Sequence, residues 1–154
     1  MKAPHRLVGW RERADLPDLG LTDLKVKIDT GARTSALGVR AIRYLDRDGM
    51  LHVSFRLPGA GRAAPRTVLP VHDQRDIRNT GGVPQERAIV LTRLVIGGFE
   101  RDVEVSLADR SSMKFPMIVG RTALKGARVL VDPSRSWLGA RLLGAAGPKK
   151  GKAP

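Results

Sequence analysis

The sequence predicts a small, mostly β domain with one short helix towards its C-terminal end. Three observations predict it. First, 17 glycines and 10 prolines interrupt 154 residues, which favours many short elements over a helical bundle. Second, several segments alternate apolar and polar residues with the period of a half-buried strand. Third, strong turn signals at Asp46-Arg47-Asp48-Gly49 and at Gly97-Gly98 join such segments into hairpins.

The elements follow in order. Leu7-Val8-Gly9-Trp10 begins the ordered part, and Leu16-Pro17-Asp18-Leu19-Gly20 reads as a turn. Leu24-Lys25-Val26-Lys27-Ile28 alternates apolar and basic residues, a strand with Leu24, Val26 and Ile28 on one face. Val39 to Leu45 and Met50 to Leu57 form a hairpin, with Leu51, Val53, Phe55 and Leu57 alternating. Thr67 to Val71 is another short apolar segment. Residues 72–85 are polar and turn-rich. Arg87 to Ile96 is a strand, and Phe99 to Leu107 returns as a half-exposed antiparallel one. Phe115 to Val119 is compact and apolar. Thr122 to Lys125 forms the short helix, closed by Gly126. Val129 to Val131 is a last strand, followed by a turn at Asp132-Pro133.

The length suits one domain. Its expected limits are residues 7–143, with a flexible N-terminus over 1–6 and a basic, flexible tail over 144–154. Apolar residues make up 42% of the chain but aromatics only 4%, so the core rests on Val, Leu, Ile and Ala. There is no cysteine, which excludes disulfides, thiolate metal sites and cysteine nucleophiles. A cytoplasmic location is expected. No apolar run approaches the ~18 residues of a membrane span, and no long apolar stretch follows the basic start Met1 to Arg6, so no signal peptide is expected. The formal charge is +13, from 28 Lys and Arg against 15 Asp and Glu. Such a balance suits an anionic partner: nucleic acid, acidic peptide or membrane surface. It is equally the balance of a protein with a generally basic surface.

One carboxylate stands out by position. Asp29 directly follows the Leu24–Ile28 strand, and Thr30-Gly31-Ala32 forms a loop after it. Thr30 supplies a short hydroxyl, and Gly31 permits close backbone approach. The tripeptide alone is a weak signal, because most aspartates are structural or solvated. An aspartic peptidase needs two carboxylates sharing a proton, since like charges at close range cannot both ionise. One then acts as base towards water and the other protonates the substrate. The chain has one Asp-Thr-Gly and no Asp-Ser-Gly. A second catalytic Asp would therefore come from an identical subunit, with both copies of Asp29 at a C2 axis.

Three separated blocks carry a family resemblance. The first is Val8-Gly9-Trp10-Arg11-Glu12 followed by Lys25 through Leu37. The second runs from Arg75-Asp76-Ile77-Arg78 to Glu86-Arg87-Ala88-Ile89-Val90. The third is Met117 through Leu124, continued by Val129 to Pro133. In this order they resemble the bacterial retropepsin-like aspartic peptidase family commonly labelled ATP-dependent zinc protease. The resemblance spans about residues 7 to 139. It implies a retropepsin-like acid-protease fold with a short C-terminal helix, and with the single Asp-Thr-Gly it calls for a homodimer for activity. It implies that Asp29 is catalytic, supported by Thr30, Gly31 and Ala32, with the Thr30 hydroxyl reaching across the dimer axis. Val119-Gly120-Arg121 would pack behind the active loop. Residues 75–87 would form a flap with its tip at Asn79, Thr80, Gly81 and Gly82, although the family tip reads closer to Ser-Asn-Gly. Gly38-Val39 also departs from the family's usual residues.

The zinc and ATP of that label find no matching motif. His5, His52 and His72 are widely separated, with no His-Glu-x-x-His and no phosphate-binding Gly-x-x-x-x-Gly-Lys-Ser/Thr. Neither metal nor cofactor is expected. The resemblance instead points to association with ATP-using ligases that attach glutamate, and to the trimming of glutamate-rich tails. Arg33, Arg78, Arg87 and Arg121 are then candidates to grip substrate carboxylates through forked donors. Arg33 and Arg121 have the alternative role of bracing the loop and helix near Asp29. Two other classes compete: a noncatalytic peptide- or protein-binding domain that retains the fold, and a basic nucleic-acid-binding β domain. The poverty of aromatics disfavours the last, since single-strand binders use aromatic platforms.

Overall fold

The computed structural model describes residues 4–78, 81–109 and 114–144. Eleven strands and one α-helix occur among them. The strands are β1 (Arg6–Leu16), β2 (Leu21–Ile28), β3 (Ser35–Arg47), β4 (Met50–Arg56), β5 (Thr67–Pro70), β6 (Asp73–Arg78), β7 (Pro84–Ile96), β8 (Phe99–Asp109), β9 (Met117–Val119), β10 (Val129–Ser136) and β11 (Arg141–Leu142). The helix, α1, spans Arg121–Leu124. The fold is mostly β with a single short helix.

The main sheet has the order β10-β1-β2-β9-β3-β8-β7-β6. A further pairing of Asp15 in β1 with Val95 in β7 brings the sheet back on itself. The ring so closed encloses a core of Val26, Leu37, Val39, Leu94, Ile96, Val105, Met117 and Val119. β4 and β5 extend β3 beyond the ring. Alternation explains the strands: in β2, Val26 and Ile28 are buried while Lys25 and Lys27, which alternate with them, are exposed.

The structure departs from the sequence reading at four places. The polar stretch 72–85 contains a strand: β6 pairs antiparallel with β7 from Asp73↔Ile89 to Arg78↔Pro84. A polar edge strand takes its stability from the backbone ladder and leaves no apolar alternation to detect. β8 is not simply a half-exposed antiparallel strand. It lies between antiparallel β7 and parallel β3, so Ser106 and Ala108 are buried along with Val105 and Leu107. β3 starts at Ser35, four residues before the alternation from Val39 becomes legible. Finally, Asp132-Pro133 does not end the last strand. β10 continues to Ser136 through a bulge, seen as the jump from Gly9↔Asp132 to Arg11↔Ser136.

That bulge is held from two sides. The Asp132 carboxylate accepts from the Ser134 hydroxyl at 2.6 Å, the Ser134 amide at 2.9 Å and Arg135 Nε at 2.8 Å. These hydrogen bonds, the Ser134 hydroxyl foremost, hold its pKa down to about 2. On the other side, a Cβ at Gly9 would stand 2.2 Å from the Arg135 carbonyl oxygen, so β1 needs glycine where the bulge crosses it.

Glu12 fixes the same region from inside. It is 1% exposed, and it accepts backbone amides from Gly9 at 2.6 Å, Leu138 at 2.9 Å and Gly139 at 2.9 Å. Three donors answer one buried carboxylate and tie the chain after β10 to β1. Glu12→Ala would leave those amides without an acceptor. At roughly 1–3 kcal/mol per orphaned group, denaturant unfolding should show a loss of about 3 kcal/mol or more; a loss below about 1 kcal/mol would contradict the clamp. Asp132→Ala should cost stability at neutral pH. The folded-state pKa is depressed, so the difference from wild type should persist above the unfolded pKa of about 4 and vanish as pH falls through about 2. A difference independent of pH would contradict this.

Candidate active site

Asp29 stands where β2 leaves the sheet. The strand is pinned on both sides, antiparallel to β1 and parallel to β9 through Val26↔Met117, Lys27↔Ile118 and Ile28↔Val119. The ladder ends with the Asp29 amide donating to the Val119 carbonyl at 2.9 Å. Beyond it the chain turns tightly. The Ala32 amide donates to the Asp29 carbonyl at 3.2 Å, and the Gly31 amide donates to Asp29 Oδ1 at 3.0 Å. The second contact orients the carboxylate, which is half-buried, while Thr30 and Gly31 are exposed.

The β9–α1 junction crosses directly behind this loop. The Arg121 amide donates to the Ala32 carbonyl at 2.8 Å, and the Thr122 amide donates to the Arg33 carbonyl at 3.0 Å. The Gly120 amide donates to Ser35 Oγ at 3.0 Å, and Ser35 is fully buried. A Cβ at Gly120 would come within 2.7 Å of the Thr34 carbonyl carbon and 2.9 Å of the Ala32 carbonyl oxygen. Only glycine permits the two segments to lie this close. The Arg121 side chain adds a brace: its Nη1 donates to the carbonyls of Thr30 at 3.0 Å and Gly31 at 3.2 Å. Arg101 supports the helix from below, donating to the carbonyls of Ala123 and Lys125.

In front of the loop lies a groove of about 590 Å³. Gly31, Ala32, Arg33 and Thr34 form one wall with Arg121; Arg75, Asp76, Ile77 and Arg78 of β6 form the other. The structure therefore brings Arg33, Arg78 and Arg121 together around the groove. It does not bring Arg87 there: that side chain is 7% exposed and donates to Gln85 Oε1 at 3.3 Å. Arg75 is engaged by Asp73 at 2.7 Å and by Glu104, and these hydrogen-bonded carboxylates, Glu104 foremost, raise its pKa further. A second hollow of about 660 Å³ borders the same loop, lined by Thr30, Arg33, Arg121 and Thr122 together with Leu124, Lys125, Val129 and Val131.

The flap was expected over residues 75–87, and of these Arg75, Asp76, Ile77 and Arg78 line the groove. Of its tip residues, Gly81 and Gly82 are exposed, whereas Asn79 and Thr80 lie outside the described residues, as does the tail from residue 145. The histidines have separate neighbours. His5 Nδ1 lies 3.3 Å from Arg128, His52 Nδ1 lies 3.0 Å from the Met50 carbonyl, and His72 Nε2 lies 3.5 Å from Glu104. Among the described residues no three His, Asp or Glu side chains gather as metal ligands. No helix of the described residues is long and apolar enough to cross a membrane.

Sequence reasoning missed the roles of Ser35 and Glu12. Glu12 had a signal, an acid in the inward phase of Val8, Ala14 and Leu16. Ser35 had none, because its role arises from the crossing of distant segments.

The chain is similar to known proteins in fold and in sequence. The chain is similar to the protein Lpg0085, of unknown function, from Legionella pneumophila, whose crystal structure superposes with a TM-score of 0.69 at 24% identity over 87% of this chain and 98% of that one. It is 38% identical over 133 residues to a "Probable alpha-L-glutamate ligase" of Parasynechococcus marenigrum, covering 84% of this chain and 28% of that protein. A protein of the same description from Shewanella pealeana is 34% identical over 134 residues, covering 85% of this chain and 29% of its own length. The chain thus spans less than a third of the length of the curated relatives it matches. The profile of the RimB-like family, described as retropepsin-like aspartic endopeptidase RimB, matches residues 7–141. The chain belongs to the RimB-like family of retropepsin-like aspartic endopeptidases.

Proposed function

We propose that the protein hydrolyses peptide bonds with water activated by two Asp29 carboxylates, one from each subunit of a homodimer. The observation that carries this reading is the Asp29 loop: its carboxylate oriented by Gly31 and its carbonyls held by Arg121, at the rim of a groove. A single Asp-Thr-Gly supports two-fold symmetry, since the reaction needs one carboxylate as base and a protonated one as acid. The hollow beside Thr30, with half-buried Val129 and Val131, supports the placing of a second copy on that side. The exposed Thr30 would then reach across the axis to the partner loop, and the β6–β7 hairpin would act as the flap.

Acidic, glutamate-rich peptides are the proposed substrate class. Arg33 and Arg78 are exposed at the groove and offer carboxylates a forked donor. The relatives that carry a similar domain within a longer chain bear the name of glutamate ligases, which supports substrates built from glutamate.

Asp29→Asn should lower the cleavage rate of glutamate-rich peptides by about 10²–10⁴-fold without altering thermal unfolding; cleavage that survives the change would sink the mechanism. Arg121→Ala should lower kcat on the order of tenfold to a hundredfold by loosening the loop, with KM little changed, and an unaltered kcat would show that Arg121 does not position it. Cleavage of an acidic peptide should weaken with added salt more steeply than that of a neutral one. Equal salt dependence would remove the arginines from recognition.

A further inference from the structure

We propose that the outer face of β1 and β2 is a platform for single-stranded nucleic acid, separate from the groove beside Asp29. The first observation is a charge arrangement that folding alone disfavours. Arg11 faces Lys27 across the β1–β2 ladder, and Arg13 faces Lys25. Directly opposed residues of an antiparallel pair share one face, and like charges so placed destabilise the sheet. Asp23 pairs with Arg13 at 3.2 Å, and Arg11 donates to Ser136 Oγ at 3.1 Å. Lys25 and Lys27 are exposed beside them. A polyanion laid along this face would relieve the repulsion.

The second observation is independent of charge. The two guanidiniums interleave with indoles. Arg11 lies 4.3 Å from the Trp10 ring centroid and 5.2 Å from that of Trp137, and Arg13 lies 5.1 Å from Trp137. Phe115 extends the row, meeting Trp10 edge-on at 6.1 Å. The chain has only six aromatic residues, and three of them meet on this row. Trp137 is 43% exposed, and it holds a φ of +61°, a left-handed conformation unfavourable for a bulky side chain. Its amide donates to the Arg11 carbonyl at 2.9 Å, which fixes the ring against the arginine pair.

Flat aromatic and guanidinium planes beside flexible ammonium groups match the two parts of a nucleotide. Bases stack on the planes, and phosphates meet Lys25 and Lys27. A glutamate chain would use the charge and leave the planes idle. None of these residues lines the groove in front of the Asp29 loop.

Fluorescence anisotropy with the full chain and a labelled oligouridylate of about twelve nucleotides tests this. The strand should bind, and an abasic strand of equal length and charge should bind roughly tenfold more weakly, for lack of stacking. Lys25→Gln with Lys27→Gln should lower the slope of log K against log salt by about 1.4, the loss of two phosphate contacts, and leave peptide cleavage unchanged. Trp137→Leu should weaken the uridylate strand about tenfold and the abasic strand little. Absence of binding, equal binding of the abasic strand, equal displacement by an oligoglutamate of the same charge, or indifference to the lysine pair would each overturn the proposal.

Discussion

The site depends on one crossing of two backbones. The segment Val119–Thr122 runs behind Asp29–Arg33, and amides of Asp29, Arg121 and Thr122 pass between them at 2.8–3.0 Å. Gly120 sets the spacing, because no side chain fits between it and the carbonyls of Ala32 and Thr34. With the Arg121 side chain on the carbonyls of Thr30 and Gly31, five backbone groups of the loop, the Asp29 amide and the carbonyls of Thr30, Gly31, Ala32 and Arg33, are fixed by partners about ninety residues away in sequence. A loop that carries a catalytic carboxylate has to be rigid to within a fraction of an ångström. Here the rigidity comes from backbone contacts that leave the Asp29 side chain available at the surface.

The charge of the protein is not spread evenly in meaning. Arg121 is spent on loop carbonyls, Arg75 on Asp73 and Glu104, and Arg93 on Glu100 and Asp102. Among the exposed cations, Arg33 and Arg78 line the groove and Lys25 and Lys27 lie on the β1–β2 face, while others such as Arg40, Arg43, Arg47 and Arg62 lie at neither place. In the proposed reading the first pair would meet carboxylates presented to Asp29, and the second pair a polyanion that also stacks. β2 connects them, since it carries both lysines and ends at Asp29.

Much of the fold was legible in the sequence wherever one strand face is buried. The alternation in β2 and β4 marked those strands, and Gly97-Gly98 marked the β7–β8 turn. It was illegible where backbone pairing alone defines a strand, as in polar β6, or where a bulge interrupts one, as at Asp132 in β10. The candidate site divides in the same way. Asp29 could be picked out from its place after an apolar strand and from the blocks around it. The Arg121 brace was one of the two roles expected for that residue, but the Ser35 acceptor could not be foreseen, because its hydrogen bond joins residues 85 positions apart. Arg87 shows the converse: an arginine in the right block of sequence whose side chain is buried and does not line the groove.

The central claim is that Asp29 is half of a site which a second copy completes. The most direct measurement is the distance between the two Asp29 carboxylates in an experimental structure of the protein's solution dimer. The account predicts a two-fold axis at the loop, with carboxylate oxygens about 3 Å apart, close enough to share a proton. A monomer, or a dimer that holds the two carboxylates beyond hydrogen-bond reach, would contradict it.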